Sequence, residues 1–167
     1  ALNRLGRSDE AYNLVINLLD QDALDNTIPH VQAELFFAMG QAQSMQGSLA
    51  EAFMSFQKAH DIWDGLGDKA NKAAMIVSMA GLYIESADID KAIAFYESAV
   101  EEINAAGDPL NQIRLKNNLA YAYSQNGEPT RAAELLKEII EDPLVKNSPF
   151  LTAYSYENMG EALVLLG

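Results

Sequence analysis

One pattern of small and large apolar residues recurs every 40 residues along this chain. Residues 115–139 carry it as two helix-like runs joined by the turn sequence Asn-Gly-Glu-Pro. The apolar positions of the two runs are Leu119, Ala120, Tyr123, Ala132, Leu136 and Ile139. A fixed period in this range is the sequence signature of stacked helical repeats, so it constrains the fold more than any other feature.

The same spacing gives three full copies of the pattern and two partial ones. The copies before residue 115 hold Met79, Ala80, Tyr83, Ala92, Tyr96 and Ala99, and then Met39, Gly40, Gln43, Ala52, Phe56 and Ala59. The partial copies hold Gly6, Ala11, Val15 and Leu18, shifted by one residue, and Met159, Gly160 and Leu163. We therefore expect a single repeat domain over residues 1–167, cropped from a longer protein. Its expected parts are a partial repeat 1–27, full repeats 28–67, 68–107 and 108–147, and a partial repeat 148–167.

Helix start and stop signals agree with this period. Ser48 with Glu51 predicts a capping box, while Gly67 and Gly107 are natural left-handed helix terminators. Aspartate and serine cap candidates and first-turn prolines recur on the same schedule. The expected helices cover about 9–19, 29–46, 49–66, 69–86, 89–106, 109–125, 129–141 and 149–166. No stretch alternates with period two over the length of a strand, so we predict no β-structure.

These residues resemble the tetratricopeptide repeat (TPR) family. The family pattern is a small residue in the first helix, a glycine at the turn, and alanine, a large apolar residue and alanine in the second. It is carried by Met39, Gly40, Gly47, Ala52, Phe56 and Ala59, with matching positions in the other units. The period is 40 residues instead of about 34, as in the extended repeats of kinesin light chain, polarity adaptors and bacterial peptide-sensing regulators. The resemblance implies an all-α fold, a right-handed α-solenoid of antiparallel helix pairs forming a TPR-like superhelix.

Two positions depart from the shared pattern. Lys116 lies where the other units place Phe36, Ile76 and Tyr156, so we expect the packing of that helix to shift toward Leu115. Ala87 replaces the turn glycines Gly47 and Gly127, so we expect that turn not to rely on the backbone freedom of glycine.

Charge and composition exclude several classes of function. The chain carries 24 acidic and 11 basic residues, a net charge of −13. Such a surface repels phosphate backbones and anionic membrane surfaces, so we predict no nucleic-acid partner. No apolar run approaches the length of a membrane span, so we also predict no membrane insertion. The two histidines, His30 and His60, have no helical i, i+4 partner, and there is no phosphate loop or nucleophile elbow. We therefore predict no enzyme activity, no cofactor and no metal site. The absence of cysteine leaves the redox compartment open, so the location is unknown, with the cytoplasm favoured.

The resemblance implies a groove lined by the first helix of each repeat that binds a protein or peptide. One stripe on the third unit's first helix is Arg114, Asn117, Asn118, Tyr121 and Gln125. The same face continues elsewhere with Phe37, Gln41, Ser78, Glu157 and Asn158. Asparagine amides match a peptide backbone, because they offer a donor and an acceptor. By resemblance, Asn117 and Asn118 would clamp a partner's main chain; alternatively, they are solvated helix residues.

Four further expectations concern partners and regulation. Arg114 stands nearly alone, so a clamp for a C-terminal carboxylate, which uses a pair of basic residues, is disfavoured. An alternative to peptide binding is a sensor or regulatory domain of a larger signalling protein that controls a missing output domain. Homo-association through uncapped ends is a third possibility, because Leu163, Val164, Leu165 and Leu166 have no following helix to cover them. Trp63 is either packed against the next pair or a hot spot for a partner.

Overall fold

The computed structural model describes residues 28–167, and the expected partial repeat 1–27 lies outside them. The chain forms two compact units, which divide between Leu82 and Tyr83. All regular elements of the described part are helices. The expected division into one domain with five repeat segments stays a prediction.

The helix bounds follow the repeat period. In the first unit, α1 covers Pro29–Met45 and α2 covers Leu49–Leu66, and the division between the units falls within α3, Lys69–Glu85. The second unit continues with α4 (Ile89–Ala106), α5 (Pro109–Gln125), α6 (Pro129–Ile140), α7 (Pro143–Lys146) and α8 (Pro149–Leu166). The four-residue helix α7 was not expected. It begins where Asp142 accepts a hydrogen bond from the Leu144 N–H and Pro143 occupies the first turn.

Helix pairs pack through the positions that recur in the sequence. In the first unit α1 packs on α2, and in the second unit α5 packs on both α4 and α6 while α8 packs on α6. Twelve predicted pattern positions of the three full repeats are buried: Gly40, Ala52, Phe56, Ala59, Ala80, Ala92, Tyr96, Ala99, Ala120, Ala132, Leu136 and Ile139. Met39 and Tyr83 are only half-buried, and Gly160 and Leu163 of the last partial repeat are exposed. Small residues let the helix backbones approach, and the large apolar residue of each second helix fills the layer between them. The predicted all-α repeat fold is confirmed.

The third repeat adapts to Lys116 as the sequence predicts. Leu115 is buried, whereas Lys116 is only half-buried and its ammonium lies 2.8 Å from a carboxylate oxygen of Glu138. The helix therefore packs through Leu115 and keeps the lysine charge at the surface. In the first unit Trp63 is also buried, with the ring of His30 edge-on at a centroid distance of 5.3 Å.

The predicted capping box at Ser48 is wrong, because its side chain makes no capping hydrogen bond. The preceding tight turn fixes this residue instead: the Ser48 N–H donates to the Gln43 carbonyl, and its ψ of 64° is not the extended conformation of a typical N-cap. Asp88, after the equivalent turn, also lacks a side-chain cap and pairs with Lys91. At the start of α5, Asp108 caps as expected and accepts from two backbone N–H groups.

Candidate partner-binding cleft

The stripe predicted on α5 is only partly exposed. Arg114 and Gln125 are exposed, and Asn118 and Tyr121 are half-buried. Asn117 is completely buried. The five residues were predicted to share one side of the helix, but they differ in how deeply they are buried.

Asn117 and Asn158 lie in the packing between helices. The Asn117 side-chain amide donates to the Ile113 carbonyl at 3.1 Å, and Asn158 donates to the backbone carbonyl of Asn117 at 3.3 Å. The Asn117 Oδ1 atom is buried with no hydrogen-bond partner among the described residues. Neither side chain is accessible to a peptide in this conformation, which leaves Arg114, Asn118, Tyr121 and Gln125 as the accessible residues of the stripe.

The remaining predicted site residues are divided between the two units. In the first unit, Phe37 is half-buried with its ring 5.9 Å from that of Phe56, and Gln41 is exposed. The Ser78 hydroxyl donates to the Ala74 carbonyl of its own helix at 2.9 Å. In the second unit, Glu157 is exposed on α8.

The second unit contains a cleft of ≈ 460 Å³ that brings two of the predicted residues together with five others. Its lining comes from α5 and from the start of α8: Leu110, Arg114, Asn118, Ser148, Phe150, Leu151 and Tyr154. A volume of this size is within the range of small ligand sites and of pockets for one or two side chains of a partner. The cleft is therefore a candidate site on the first-helix surface of this unit.

Exposed apolar side chains form the rim of the cleft. Phe150 is 76% exposed and Leu110 is 48% exposed. The Phe150 ring stacks on that of Tyr154, with centroids 6.4 Å apart and planes 16° apart. An aromatic side chain held in place by a stacked neighbour offers a large contact area at a low cost in conformational entropy.

The polar floor of the cleft is a set of hydrogen-bonded side chains. The Tyr154 hydroxyl donates to Asn118 Oδ1 at 2.8 Å, and the buried Tyr96 lies near Asn118. Burial raises the pKa of Tyr154 and also that of Tyr96, which is 1% exposed, so both phenols are neutral at physiological pH. The floor is therefore neutral.

Arg114 supplies the charge of the cleft. It is the basic residue of the lining, and it forms no ion pair with a carboxylate in the part of the chain that the structure describes. The chain has a net charge of −13, so this exposed unpaired guanidinium is a local positive charge on an acidic protein. It presents a planar fork of donors suited to carboxylate or backbone carbonyl oxygens.

Sequence reasoning left Leu110 and Phe150 out of the candidate site. The available signal was their position, because each follows a first-turn proline and the two lie 40 residues apart. The pattern that recurs every 40 residues marks core positions, whereas these two residues are exposed at the start of their helices. Their exposure depends on how α5 and α8 pack, which the repeat spacing alone does not give.

Helix pairs with recurrent small-residue contacts and an open first-helix surface define a helical repeat protein of the interaction-scaffold class. Sequence profiles of the tetratricopeptide repeat match residues 31–101 and residues 113–141, which together are more than half of the chain. The chain belongs to the tetratricopeptide repeat family. The family is a protein-interaction scaffold family, and the resemblance stated above is confirmed.

Solved structures share the fold at low sequence identity. TPR-like repeats assigned to a kinesin light chain of Podosopora anserina match in two crystal structures, with TM-scores of 0.68 and 0.66 and identities of 22% and 20%. Each match covers 96% of this chain and 84% of that one. BtubC (BKLC) from P. vanneervenii matches with a TM-score of 0.64 and 20% identity, covering 99% of this chain and 70% of the other. No curated protein matches the chain.

Residues 28–167 contain no group of three or more histidine or acidic side chains placed to hold a metal ion. None of the described helices combines the length and the apolar character needed to cross a membrane.

Proposed function

We propose that this chain is a protein-interaction module that binds a segment of a partner protein, with the cleft between α5 and α8 as a principal contact. The observation that carries the proposal is the exposure of Phe150 and Leu110 beside an unpaired Arg114 in one cleft. Exposed apolar side chains grouped around a concave surface mark interaction sites on proteins. Aromatic and arginine side chains are also the residue types that dominate binding energy at interfaces.

The chemistry of the lining indicates what the partner segment supplies. An apolar side chain would cover the Phe150 and Leu110 surfaces, and an oxygen acceptor would meet the Arg114 guanidinium. We further propose that the same segment extends along the first-helix surface past Tyr121, Gln125 and Glu157. The residues Phe37, Gln41 and Ser78 of the first unit are proposed contacts by family resemblance.

A selected peptide provides the test. Random 12-residue peptides displayed on phage are selected on the immobilised chain, and the strongest binder is synthesised with a fluorophore for anisotropy titration. We expect Phe150→Ala and Arg114→Ala each to weaken binding by about tenfold, as for central interface residues.

Two variants outside the cleft serve as matched controls. Lys137→Ala removes one exposed cation from α6, and Val164→Ala trims an 81% exposed apolar side chain on α8. Both should leave the affinity unchanged. A peptide that binds equally well to both cleft variants would refute the assignment of the cleft.

A further inference from the structure

One side of α8 continues from the cleft toward the end of the helix. Phe150, Tyr154, Glu157 and Glu161 follow each other at intervals of four, three and four residues, so they share one side of α8 and form the α8 stripe. The first two residues line the cleft, and both glutamates are exposed. The α8 stripe therefore changes from aromatic to acidic along one surface.

The two glutamates of the α8 stripe have no cationic partner in the described part of the chain. Neither Glu157 nor Glu161 forms an ion pair within residues 28–167, and α8 itself contains no lysine or arginine. On the neighbouring helix α5, Arg114 lines the cleft and Lys116 is paired with Glu138. Two negative charges are therefore available to a ligand next to the cleft.

We propose that the segment bound by the cleft is basic: beside the apolar side chain that covers Phe150, it carries lysine or arginine side chains that pair with Glu157 and Glu161. This inference rests on the proposed function and specifies the chemistry of the partner. The net charge of −13 attracts a basic segment over a longer range and speeds its encounter with the protein. A segment with acidic residues at these points is repelled, so the two glutamates select among apolar segments by charge.

The spacing of the α8 stripe predicts where the basic residues lie in the partner. An α-helix rises about 1.5 Å per residue, so Glu157 and Glu161 lie about 10.5 Å and 16.5 Å along α8 from Phe150. An extended segment advances about 3.3 Å per residue. A segment that follows α8 in extended form therefore places its cations about three and about five residues from its apolar anchor.

The first test is peptide selection on two forms of the chain. Random 12-residue peptides displayed on phage are selected in parallel on the parent chain and on the double variant Glu157→Gln with Glu161→Gln. Peptides selected on the parent should be enriched in lysine or arginine about three and five residues from an apolar residue. The double variant should not give this enrichment. Both substitutions are at exposed positions, and circular dichroism checks that the fold is retained.

The second test is an anisotropy titration with the strongest peptide selected on the parent. Glu157→Gln and Glu161→Gln should each weaken binding by about 1.5- to 5-fold, as expected for exposed ion pairs. Glu134→Gln neutralises an exposed glutamate on α6 and is the matched control, which should bind as the parent does. Reversing both charges with Glu157→Lys and Glu161→Lys should weaken binding further. The same peptide with its basic residues replaced by glutamate should regain affinity for that charge-reversed variant.

The possible results separate this inference from the proposed function. If the peptide depends on Phe150 and Arg114 but binds the double glutamine variant as tightly as the parent, the selection for a basic segment is refuted and the cleft stands. If binding depends on the glutamates but not on Phe150 or Arg114, or on none of the four, the cleft assignment fails together with this inference. Weaker binding to the glutamine variants that is reversed by the charge swap supports a basic partner.

Discussion

The ring of Phe56 lies against the backbone of Gly40 where α2 crosses α1. A Cβ atom built on Gly40 would lie 2.6 Å from both Cδ1 and Cε1 of that ring. The ring is 4% exposed and packs beside Phe37, so it has little room to move. The repeat pattern places a small residue at this position in every repeat. In the first full repeat, only the absence of a side chain allows the contact.

Gly40→Ala should therefore destabilise the protein. Overpacking a buried contact costs about 1–3 kcal/mol, which exceeds the helix-propensity gain of about 1 kcal/mol that alanine brings. Chemical denaturation monitored by circular dichroism measures the change.

Gly160→Ala is the matched control for this substitution, because Gly160 occupies the equivalent position in α8 and a Cβ there meets nothing within 4 Å. It should stabilise the protein by about 1 kcal/mol. Adding Phe56→Leu should restore stability to the Gly40→Ala variant, because the third repeat combines Ala120 with Leu136 at these positions. Equal stability of Gly40→Ala and the parent chain would show that the Phe56 ring can yield.

Ala87→Gly should stabilise the protein, because Ala87 takes the left-handed backbone conformation with a φ of 58°. Its turn makes the same two hydrogen bonds as the glycine turns: the Asp88 N–H donates to the Tyr83 carbonyl at 2.9 Å, and the Ala87 N–H to the Ile84 carbonyl at 3.0 Å. The alanine Cβ is strained there by roughly 1–2 kcal/mol. Part of the relieved strain energy is offset by the greater conformational entropy of glycine in the unfolded chain. We therefore expect the free energy of unfolding to rise by about 0.5–1 kcal/mol.

The control for Ala87→Gly is Ala94→Gly, at an exposed position inside α4. That change should destabilise the protein by about 1 kcal/mol. Urea denaturation midpoints of the two variants should move in opposite directions, and a loss of stability in both would argue against strain at Ala87.

The sequence predicted the repeat core well because its positions depend only on spacing. Ala52, Phe56 and Ala59 lie one helical turn apart, and any helix pair in this register buries them. The turn at Ala87 illustrates the limit of that reasoning. The substitution was visible, but whether the alanine would take the left-handed conformation or the turn would change depended on the hydrogen bonds that close it.

The candidate site was less predictable, because its exposure depends on helices that are distant in sequence. Asn117 and Asn118 are adjacent polar residues with equal helical surroundings in the sequence. The structure buries Asn117 beneath Asn158, 41 residues away, and leaves Asn118 in the cleft with Tyr154, 36 residues away. These contacts require the packing of α8 against its neighbours, which no local pattern contains.

Tyr123 should make stability fall at alkaline pH. Burial raises its pKa to about 12, and its hydroxyl donates to Glu97 at 2.7 Å. The folded state thus favours the protonated phenol relative to the unfolded state, whose tyrosine pKa is about 10. This contribution is complete below about pH 10 and is lost as the pH rises toward 12.

The measurement for Tyr123 is the free energy of unfolding in urea at pH 9, 10 and 11. Tyr123→Phe should be less stable than the parent at pH 9, because the hydrogen bonds to Glu97 and from Arg131 are lost. Its stability should then decline less between pH 10 and 11, with a residual slope from the other buried tyrosines. Tyr156→Phe should keep the parent slope, and an unchanged slope in Tyr123→Phe would contradict the prediction.

Ser155→Ala should stabilise the protein through the removal of a buried hydroxyl. Ser155 is completely buried on α8, and its Oγ has no hydrogen-bond partner among the described residues. An unpaired buried polar group costs about 1–3 kcal/mol, and alanine fills nearly the same volume with a higher helix propensity.

Ser98→Ala is the control, because it makes the same propensity change at an exposed site where the hydroxyl donates to the Phe95 carbonyl. The gain at Ser155 should exceed the change at Ser98 by about 1 kcal/mol in urea denaturation. A loss of stability at Ser155 would mean that its hydroxyl is hydrogen-bonded in solution, for example to a buried water, and that the packing of α8 depends on this bond.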